Sequence, residues 1–443
     1  MKQEVKKQAL STESYKGVRD FYPEDLAIQR YIFDTWAKTA ESFGFERYDA
    51  SVLEPSELYK AKGAQNEEMV NEQTYTFIDK GDREVTLRPE MTPTVARMVA
   101  GKRRELTFPL RWYSIPNLFR YERPQRGRVR EHWQLNADIF GSNSEMADVE
   151  IILLASAILK GFGAKVKGSD AKESDFEIVI NARKIIPEII RAILRRENFD
   201  AIDEEIGKFT RLLDRRNKMP QDDFDTQCIQ IFGEARAKIV KANFYNAEAG
   251  NLTEIMAELE SVRDLRLLTE KLKVLGVNVR HDSELARGFD YYTGTIFEIF
   301  DTNPDNRRSL LGGGRYDNLT GLFGGDPIPA VGFGMGDVTM RDFLETHDLL
   351  PKNLQTIDIA LIPMKQEYAL EAEKIAQTIR TAGKKAYVSL ADKKVGDHIK
   401  QAEARNAQSI IVIGEEEITS GIFTLKTLAS GSEIKGTISD LLK

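Results

Sequence analysis

The apolar residues of this chain recur first at helical spacing and then at strand spacing, and each change of period marks a new element. Between Pro23 and Phe43, the residues Ile28, Ile32, Trp36 and Phe43 lie four, four and seven apart, which predicts an amphipathic helix closed by Gly44. Strand spacing follows. "YTFID" (75–79), "EVTLRP" (84–89), "LRWYSIPNLFRYE" (110–122) and "EHWQLNADIFG" (131–141) alternate or are aromatic and β-branched, with turn residues between them. Their succession predicts an antiparallel sheet, with helices over 93–100 and 144–160 packed on it.

From about Asn181 to Val274 the pattern turns long, charged and helical, in "NARKIIPEIIRAILRRENF" and "LTEIMAELESVRDLRLLTEKLKVL", which predicts a helical insertion. Strand spacing resumes over 289–300, ahead of a glycine-rich region from Leu311 to Gly336 and a short helix ending before Pro351. From Thr356 onward "IDIALIP", a helix at 366–382, "KAYVSL", a helix at 395–407 and "SIIVIG" alternate strand with helix. That alternation predicts a small α/β unit.

Composition narrows the function classes. At 443 residues the chain exceeds one hydrophobic core, so two or three domains are expected. A net charge of −7 excludes a generic polycation that coats nucleic acid. Any phosphate-binding surface must be local, and the candidates are Lys102-Arg103-Arg104 and "RYERPQRGRVR" (120–130). The single cysteine, Cys228, excludes an intrachain disulfide framework, and no CxxC or paired His/Cys spacing indicates a structural zinc site. The stretch "MKQEVKKQALSTES" lacks an apolar core, and no segment approaches ~18 consecutive apolar residues. A soluble, cytoplasmic protein without a membrane partner is expected.

Four stretches carry candidate chemistry. Arg120, Arg123, Arg126, Arg128 and Arg130 crowd a predicted hairpin with only Glu122 to offset them. Such a loop is either a solvated hairpin or a set of planar forks gripping phosphate oxygens. Gln134 and Asp138, four apart on a strand, share one face and either point at a ligand or bond across the sheet. In "LRPEMTPTVAR" (87–97) Thr92 before Pro93 reads as a helix N-cap, while Glu90 can aim a carboxylate at a bound ammonium group. In "SELARGFDYYTGTIFEIF" (283–300), Arg287 and Asp290 read as an ion pair with Tyr291 and Tyr292 as β-formers, one inside and one outside, or as part of a site. Both readings stay open on these residues alone. "GGGRYD" (312–317) and "GFGMGD" (332–337) do not match GxGxxG, and no GxxxxGK[ST] exists, so neither a Rossmann dehydrogenase nor a P-loop ATPase is supported. Glycines inside strands mark close approach of a backbone or ligand, where Tyr316 offers its hydroxyl.

Taken together, these segments resemble the class II aminoacyl-tRNA synthetases, specifically the histidyl-tRNA synthetase family. "RGFDYYTG" and "GGGRYD" are similar to its two signature peptides, and "FRYERPQRGRVREHWQLNADIFG" resembles motif 2 in its histidyl form. "KGVRDFYP" (16–23) and "TLRPEMT" (86–92) add to the likeness, which spans essentially the whole chain. The resemblance implies an α/β protein with an α+β catalytic core: the class II antiparallel sheet with flanking helices, a helical insertion, and a C-terminal α/β anticodon-binding domain. The boundaries expected are 1–175 (motifs 1 and 2) and 277–350 (signature peptides and motif 3) for the core, 176–276 for the insertion and 351–443 for the anticodon-binding domain.

The reaction implied is ATP-dependent joining of L-histidine to tRNA(His) through a histidyl-adenylate, releasing AMP and pyrophosphate, with Mg²⁺ accompanying ATP. By the same resemblance Arg120 and Arg287 are catalytic, stabilising charge on the α-phosphate from opposite sides, Arg287 where other class II enzymes use a metal ion. Glu90, Thr92, Gln134, Asp138, Arg287, Tyr291, Tyr292 and Tyr316 would bind histidine. Arg120, Glu122, Arg128, His132 and Arg287 would bind ATP, with Glu122 on the adenine amino group and Arg128 on the outer phosphates. Arg123, Gln125, Arg126 and Arg130 would meet the tRNA acceptor end. A homodimer is implied as well.

Three positions depart from the family pattern. Ser51 in "ASVLEPSEL" replaces the motif 1 proline, Thr339 in "GFGMGDVTM" takes the motif 3 arginine position, and His132 falls where the adenine-stacking aromatic belongs. Arg341, two residues beyond Thr339, lies ~200° around a helix from it. A competing expectation is a non-catalytic paralogue of the synthetase, a regulatory subunit in histidine biosynthesis, which resembles the catalytic core only.

Overall fold

The computed structural model describes residues 10–61, 73–125, 127–166, 174–200, 202–214, 216, 219–245, 257–282, 285, 291–306, 308–352, 354, 357–390 and 393–442. The chain divides into two compact units, residues 1–20 with 29–349 and residues 21–28 with 350–443. No described helix is long and apolar enough to cross a membrane.

The strands described in the first unit are β1 (Glu46–Arg47), β2 (Leu53–Pro55), β3 (Tyr75–Ile78), β4 (Glu84–Leu87), β5 (Leu110–Ser114), β6 (Asn117–Phe119), β7 (Glu131–Phe140), β8 (Phe176–Ala182), β9 (Arg280–His281), β10 (Thr295–Asp301), β11 (Ser309–Arg315) and β12 (Ala330–Gly336). Nine of them form one sheet in the order β1-β5-β7-β12-β11-β10-β8-β9, with β6 also paired to β7. The pairings are antiparallel except β1 with β5 and β8 with β9. Two sequence expectations are corrected here. The segments 75–79 and 84–89 do not join this sheet: β3 and β4 pair with β2 in a separate three-stranded sheet. Phe176–Ala182, assigned to the helical insertion, is instead a strand of the large sheet, and its neighbouring helix begins at Ile185.

Register decides which residues share a face. Gly332, Gly334 and Gly336 of β12 stand opposite Asp138, Asn136 and Gln134 of β7, and Gly314 and Gly312 of β11 stand opposite Gly332 and Gly334. One face of the sheet centre is therefore a glycine floor beside three polar side chains. The alternate positions, including Leu135, Ala137, Ile139, Val331 and Met335, are buried on the other face. There the helix Glu145–Gly161, capped by Ser144 Oγ accepting from Met146 N at 3.2 Å, lays Ile151, Ile152, Leu154, Ile158 and Leu159 into the core. Each such side chain contributes roughly 1.5–3 kcal/mol on burial, so that face supplies stability and leaves the glycine face for a ligand.

The predicted first helix is Pro23–Ser42, with Ile32 and Trp36 buried and Gly44 at φ +78° ending the turn after it. Helices Ile185–Arg196, Asp203–Asp214, Gln221–Phe232, Glu234–Tyr245 and Glu260–Val274 fill the middle of the chain. Ile190, Phe209, Phe224, Cys228 and Phe232 form a core of their own there, which accounts for a cysteine with no partner.

In the second unit β13 (Ile357–Pro363), β14 (Ala386–Val388), β15 (Ala407–Ile413), β16 (Phe423–Thr427) and β17 (Glu433–Gly436) form a sheet ordered β14-β13-β15-β16-β17. Helices Ala369–Thr381 and Val395–Ala404 connect the parallel strands. Ile359 and Leu361 belong to one core and Ala360 and Ile362 to another, so both faces are covered. The antiparallel edge β16-β17 was not expected from the sequence.

Candidate active site

Two adjoining cavities open on the glycine face of the large sheet. The smaller, ≈ 40 Å³, is lined by Glu90, Thr92, Gln134, Asn136, Asp138, Tyr291, Tyr292 and Tyr316. The larger, ≈ 490 Å³, is lined by Arg120, Glu122, Arg128, His132, Arg308 and Thr339 among others. Arg120, Gln134, Gly312 and Gly334 border both, so the two cavities share a wall. A larger space of ≈ 860 Å³, beside Asp175, Arg280 and His347, holds none of the predicted site residues.

In the small cavity the Tyr316 hydroxyl donates to Asp138 Oδ1 and the Tyr291 hydroxyl donates to Glu90 Oε2 at 3.3 Å. The Tyr291 ring lies 4.9 Å from Tyr292 and 5.8 Å from Tyr316, measured between centroids. Tyr291 and Tyr292 are both buried, each 7% exposed, which corrects the expectation of one inside and one outside. They precede β10, and the chain there is turning rather than extended, so strand alternation does not apply. Burial pushes the Asp138 carboxyl up to about 7, against the pull of the Tyr316 hydrogen bond. Burial and the neighbouring Asp138 charge also raise Tyr316 well above the ordinary phenol range, so it remains a hydrogen-bond donor. A Cβ on Gly332 would sit 2.0 Å from Asp138 Oδ1 and 2.7 Å from Ala137 O. Glycine is thus required beside the carboxylate.

Arg88, 2% exposed, holds the segment that carries Glu90: its Nε donates to Asn117 O at 3.0 Å and its Nη1 to Ala50 O at 2.8 Å. Arg120 Nε donates to Pro89 O at 2.9 Å, fixing the guanidinium at the junction of the cavities. The predicted N-cap is corrected: the helix Thr92–Lys102 is preceded by Met91 at the cap position with no side-chain cap bond. Thr92 is already helical, and it lines the small cavity.

In the large cavity Arg128 Nε lies 3.2 Å from Glu122 Oε2. Burial, with Arg120 and Arg19 nearby, lowers His132 to about 3, so its imidazole is neutral near pH 7. Trp133 points to the other face and meets Phe33 at 6.4 Å, as strand parity predicts. Its backbone N–H donates to Asp337 Oδ1 at 3.0 Å, and Asp337 Oδ2 accepts from Arg19 Nη2 at 2.8 Å. That buried carboxylate ties "KGVRD" to the end of β12.

The arginine loop is divided in its roles. Arg123, Gln125 and Arg128 are exposed, and Gly127 makes the turn at φ +73°. Arg130 is buried, stacked 4.0 Å over the Tyr121 ring, with Nε donating to Glu122 O at 3.2 Å and Nη1 to Tyr15 Oη at 3.1 Å. Its guanidinium holds the base of the loop. Arg315 of "GGGRYD" likewise serves the scaffold, paired with buried Asp148, while Tyr316 beside it faces the cavity. Arg126, Arg287 and Asp290 lie outside the described residues. Asn136, Arg308 and Arg88 were not anticipated; for Asn136 the signal was present, since it falls between Gln134 and Asp138 at the same parity.

A family model described as "Histidyl-tRNA synthetase" matches residues 17–337, and one described as "Anticodon binding domain" matches 358–443. A protein named histidine–tRNA ligase from Leptospira biflexa is 42% identical, over 99% of this chain and 98% of its own. The chain belongs to the histidyl-tRNA synthetase family. A histidine–tRNA ligase from Thermoplasma volcanium is 35% identical over 98% of both chains. The fold agrees with the solved histidyl-tRNA synthetase from Nostoc sp. PCC 7120, at TM-score 0.77 and 22% identity over 98% of both chains. Within this histidyl-tRNA synthetase fold Thr339 lines the large cavity at the start of the helix Asp337–Thr346. Arg341 on that helix pairs with Glu345 at 2.8 Å.

Proposed function

We propose that this protein charges tRNA(His) with L-histidine in two steps, using ATP. The observation that carries the reading is the wall shared by the two cavities. A small chamber of tyrosines and carboxylates suits an imidazole and an ammonium group, and an arginine-lined chamber suits a nucleotide. Arg120 stands between them, where the two substrates must react.

Histidine enters the small chamber, with Tyr291, Tyr292 and Tyr316 around the ring and Glu90, Thr92, Gln134 and Asp138 around the ring and the α-amino group. An imidazole presents two nitrogens that donate or accept. A buried site that bonds both rejects analogues by roughly 10⁴-fold or more, because their absence strands its polar groups. ATP enters the large chamber, with adenine beside neutral His132 and Glu122. Mg²⁺ arrives with the nucleotide as its phosphate counter-ion and is part of that substrate.

A histidine carboxylate oxygen attacks the α-phosphorus and pyrophosphate leaves from the opposite side. Charge grows on the α-phosphate oxygens as it does so, and the guanidinium groups of Arg120 and Arg287 stabilise it without a protein nucleophile. The terminal ribose hydroxyl of the tRNA then attacks the carbonyl carbon, and AMP departs. Arg123, Gln125 and Arg126 meet the acceptor end on a loop whose base Arg130 holds. Residues 351–443 read the anticodon, 176–276 supply the insertion apart from the strand β8, and the remainder forms the core. The protein works in the cytoplasm as a homodimer.

The regulatory alternative fits less well, because such a paralogue resembles the core alone and this chain carries the anticodon-binding module as well. The test is histidine-dependent exchange of pyrophosphate into ATP. Exchange by the parent protein, abolished by Arg287→Ala with tRNA binding retained, is expected. A parent with no exchange at saturating histidine and Mg-ATP would sink the reading.

A further inference from the structure

Arg308 enters the large cavity just ahead of β11 and is absent from every motif that marks the family in this chain. Gly127 of the arginine loop lies against its stem: a Cβ there would be 3.0 Å from Arg308 Cδ and 3.8 Å from Thr339 Cγ2. Gly127 of the loop, the start of β11 and the start of the helix Asp337–Thr346 therefore meet at one point, with Arg308 a cation among them. Thr339 offers no charge, and its hydroxyl is near Leu310 O and Gly336 O at 3.4 and 3.3 Å. Arg341 is occupied by Glu345.

Among the described residues the half-buried Arg308 guanidinium has no hydrogen-bond or ion-pair partner. Burial and the adjacent Arg128 charge hold it below the ordinary guanidinium range, partly offset by Glu122 and Asp342. Arg128 is paired with Glu122 at 3.2 Å, which among the described residues leaves Arg308 as the neighbouring guanidinium without a carboxylate on it; planar forks of this kind grip phosphate oxygens bidentately.

We propose that Arg308, together with Arg128, holds the outer phosphates of ATP and the pyrophosphate released from it, in place of the arginine that Thr339 replaces. The assignment rests on the nucleotide reading of this cavity and adds the residue that grips the leaving group. Arg308 thus binds pyrophosphate as it departs and, in the reverse direction, as it returns.

The experiment titrates inorganic pyrophosphate and AMP separately into the full-length protein, the parent against Arg308→Ala and Arg308→Lys. Because it needs no turnover, it reads Arg308 even if the parent lacks exchange activity, so failure of this inference and failure of the charging reading are distinguishable. Losing a charge-assisted hydrogen bond weakens binding by about tenfold or more. Pyrophosphate affinity should fall by that factor in Arg308→Ala and less in Arg308→Lys, with AMP affinity unchanged. In the exchange assay KM for ATP should rise while KM for histidine stays put. Unchanged pyrophosphate affinity, or AMP affinity falling as far as pyrophosphate affinity, would overturn the proposal.

Discussion

Replacing Tyr316 by phenylalanine removes one hydroxyl from the small cavity and leaves the ring in place, because Phe140 and Tyr291 hold it edge-on at 6.1 and 5.8 Å. That hydroxyl donates to Asp138 and draws its titration down, while burial pushes it up to about 7. A hydrogen bond to a charged acceptor contributes about 1.5–3 kcal/mol, and roughly 1.36 kcal/mol is one pKa unit, so Asp138 in Tyr316→Phe should titrate ~1–2 units higher. On the proposed reading ionised Asp138 accepts from histidine's N–H groups, so activity should fall as pH falls through its pKa. The assay is kcat/KM for histidine in pyrophosphate exchange between about pH 6 and 9. The parent should show an acid limb near 7, and the variant a limb displaced ~1–2 units to alkaline pH. At pH ~7.5 the variant should be roughly tenfold slower, a gap that narrows toward pH 9. Stability runs the opposite way from activity. Asp138 holds its proton more tightly folded than unfolded, so its contribution is full below about pH 4 and is lost as pH rises through about 7. Superimposable acid limbs in parent and variant would refute this account of the Tyr316–Asp138 pair.

Two further outcomes are expected. Gly332→Ala places a methyl 2.0 Å from Asp138 Oδ1 and 2.7 Å from a backbone carbonyl that cannot retreat; overpacking of this kind costs about 1–3 kcal/mol, visible in urea unfolding together with a raised KM for histidine. Binding of tRNA, measured by fluorescence anisotropy, should weaken with salt at a log–log slope of about −0.7 to −0.9 per phosphate contacted; a flat dependence would remove the arginine loop from the interface.

Strand alternation made β5, β6, β7 and β10 of the large sheet legible, and parity placed Gln134 and Asp138 on one face. The failures have physical causes. "FEIVINA" of β8 runs into "IIPEIIRAIL", and a short apolar run has no period that separates a buried strand from a buried helix. The short antiparallel strands β16 and β17, "FTLKT" and "EIKG", carry only three apolar residues between them, too few for their alternation to announce a strand pair. Thr92-Pro93 carries the local signature of a cap, yet the helix already includes Thr92, and the wholly buried Met91 occupies the cap position. Arg130 and Arg308 are the instructive pair. In sequence both are arginines beside other arginines; only tertiary neighbours, Tyr15 for one and Gly127 with Thr339 for the other, make the first a strut and the second a cavity residue.

The central claim is tested most directly by offering the purified protein tRNA(His), Mg-ATP and each of the twenty amino acids in turn. The account predicts that histidine alone becomes attached to the tRNA, with AMP and pyrophosphate released in step with the ester formed. Binding of histidine and tRNA without any aminoacylation would contradict it and favour the regulatory paralogue instead.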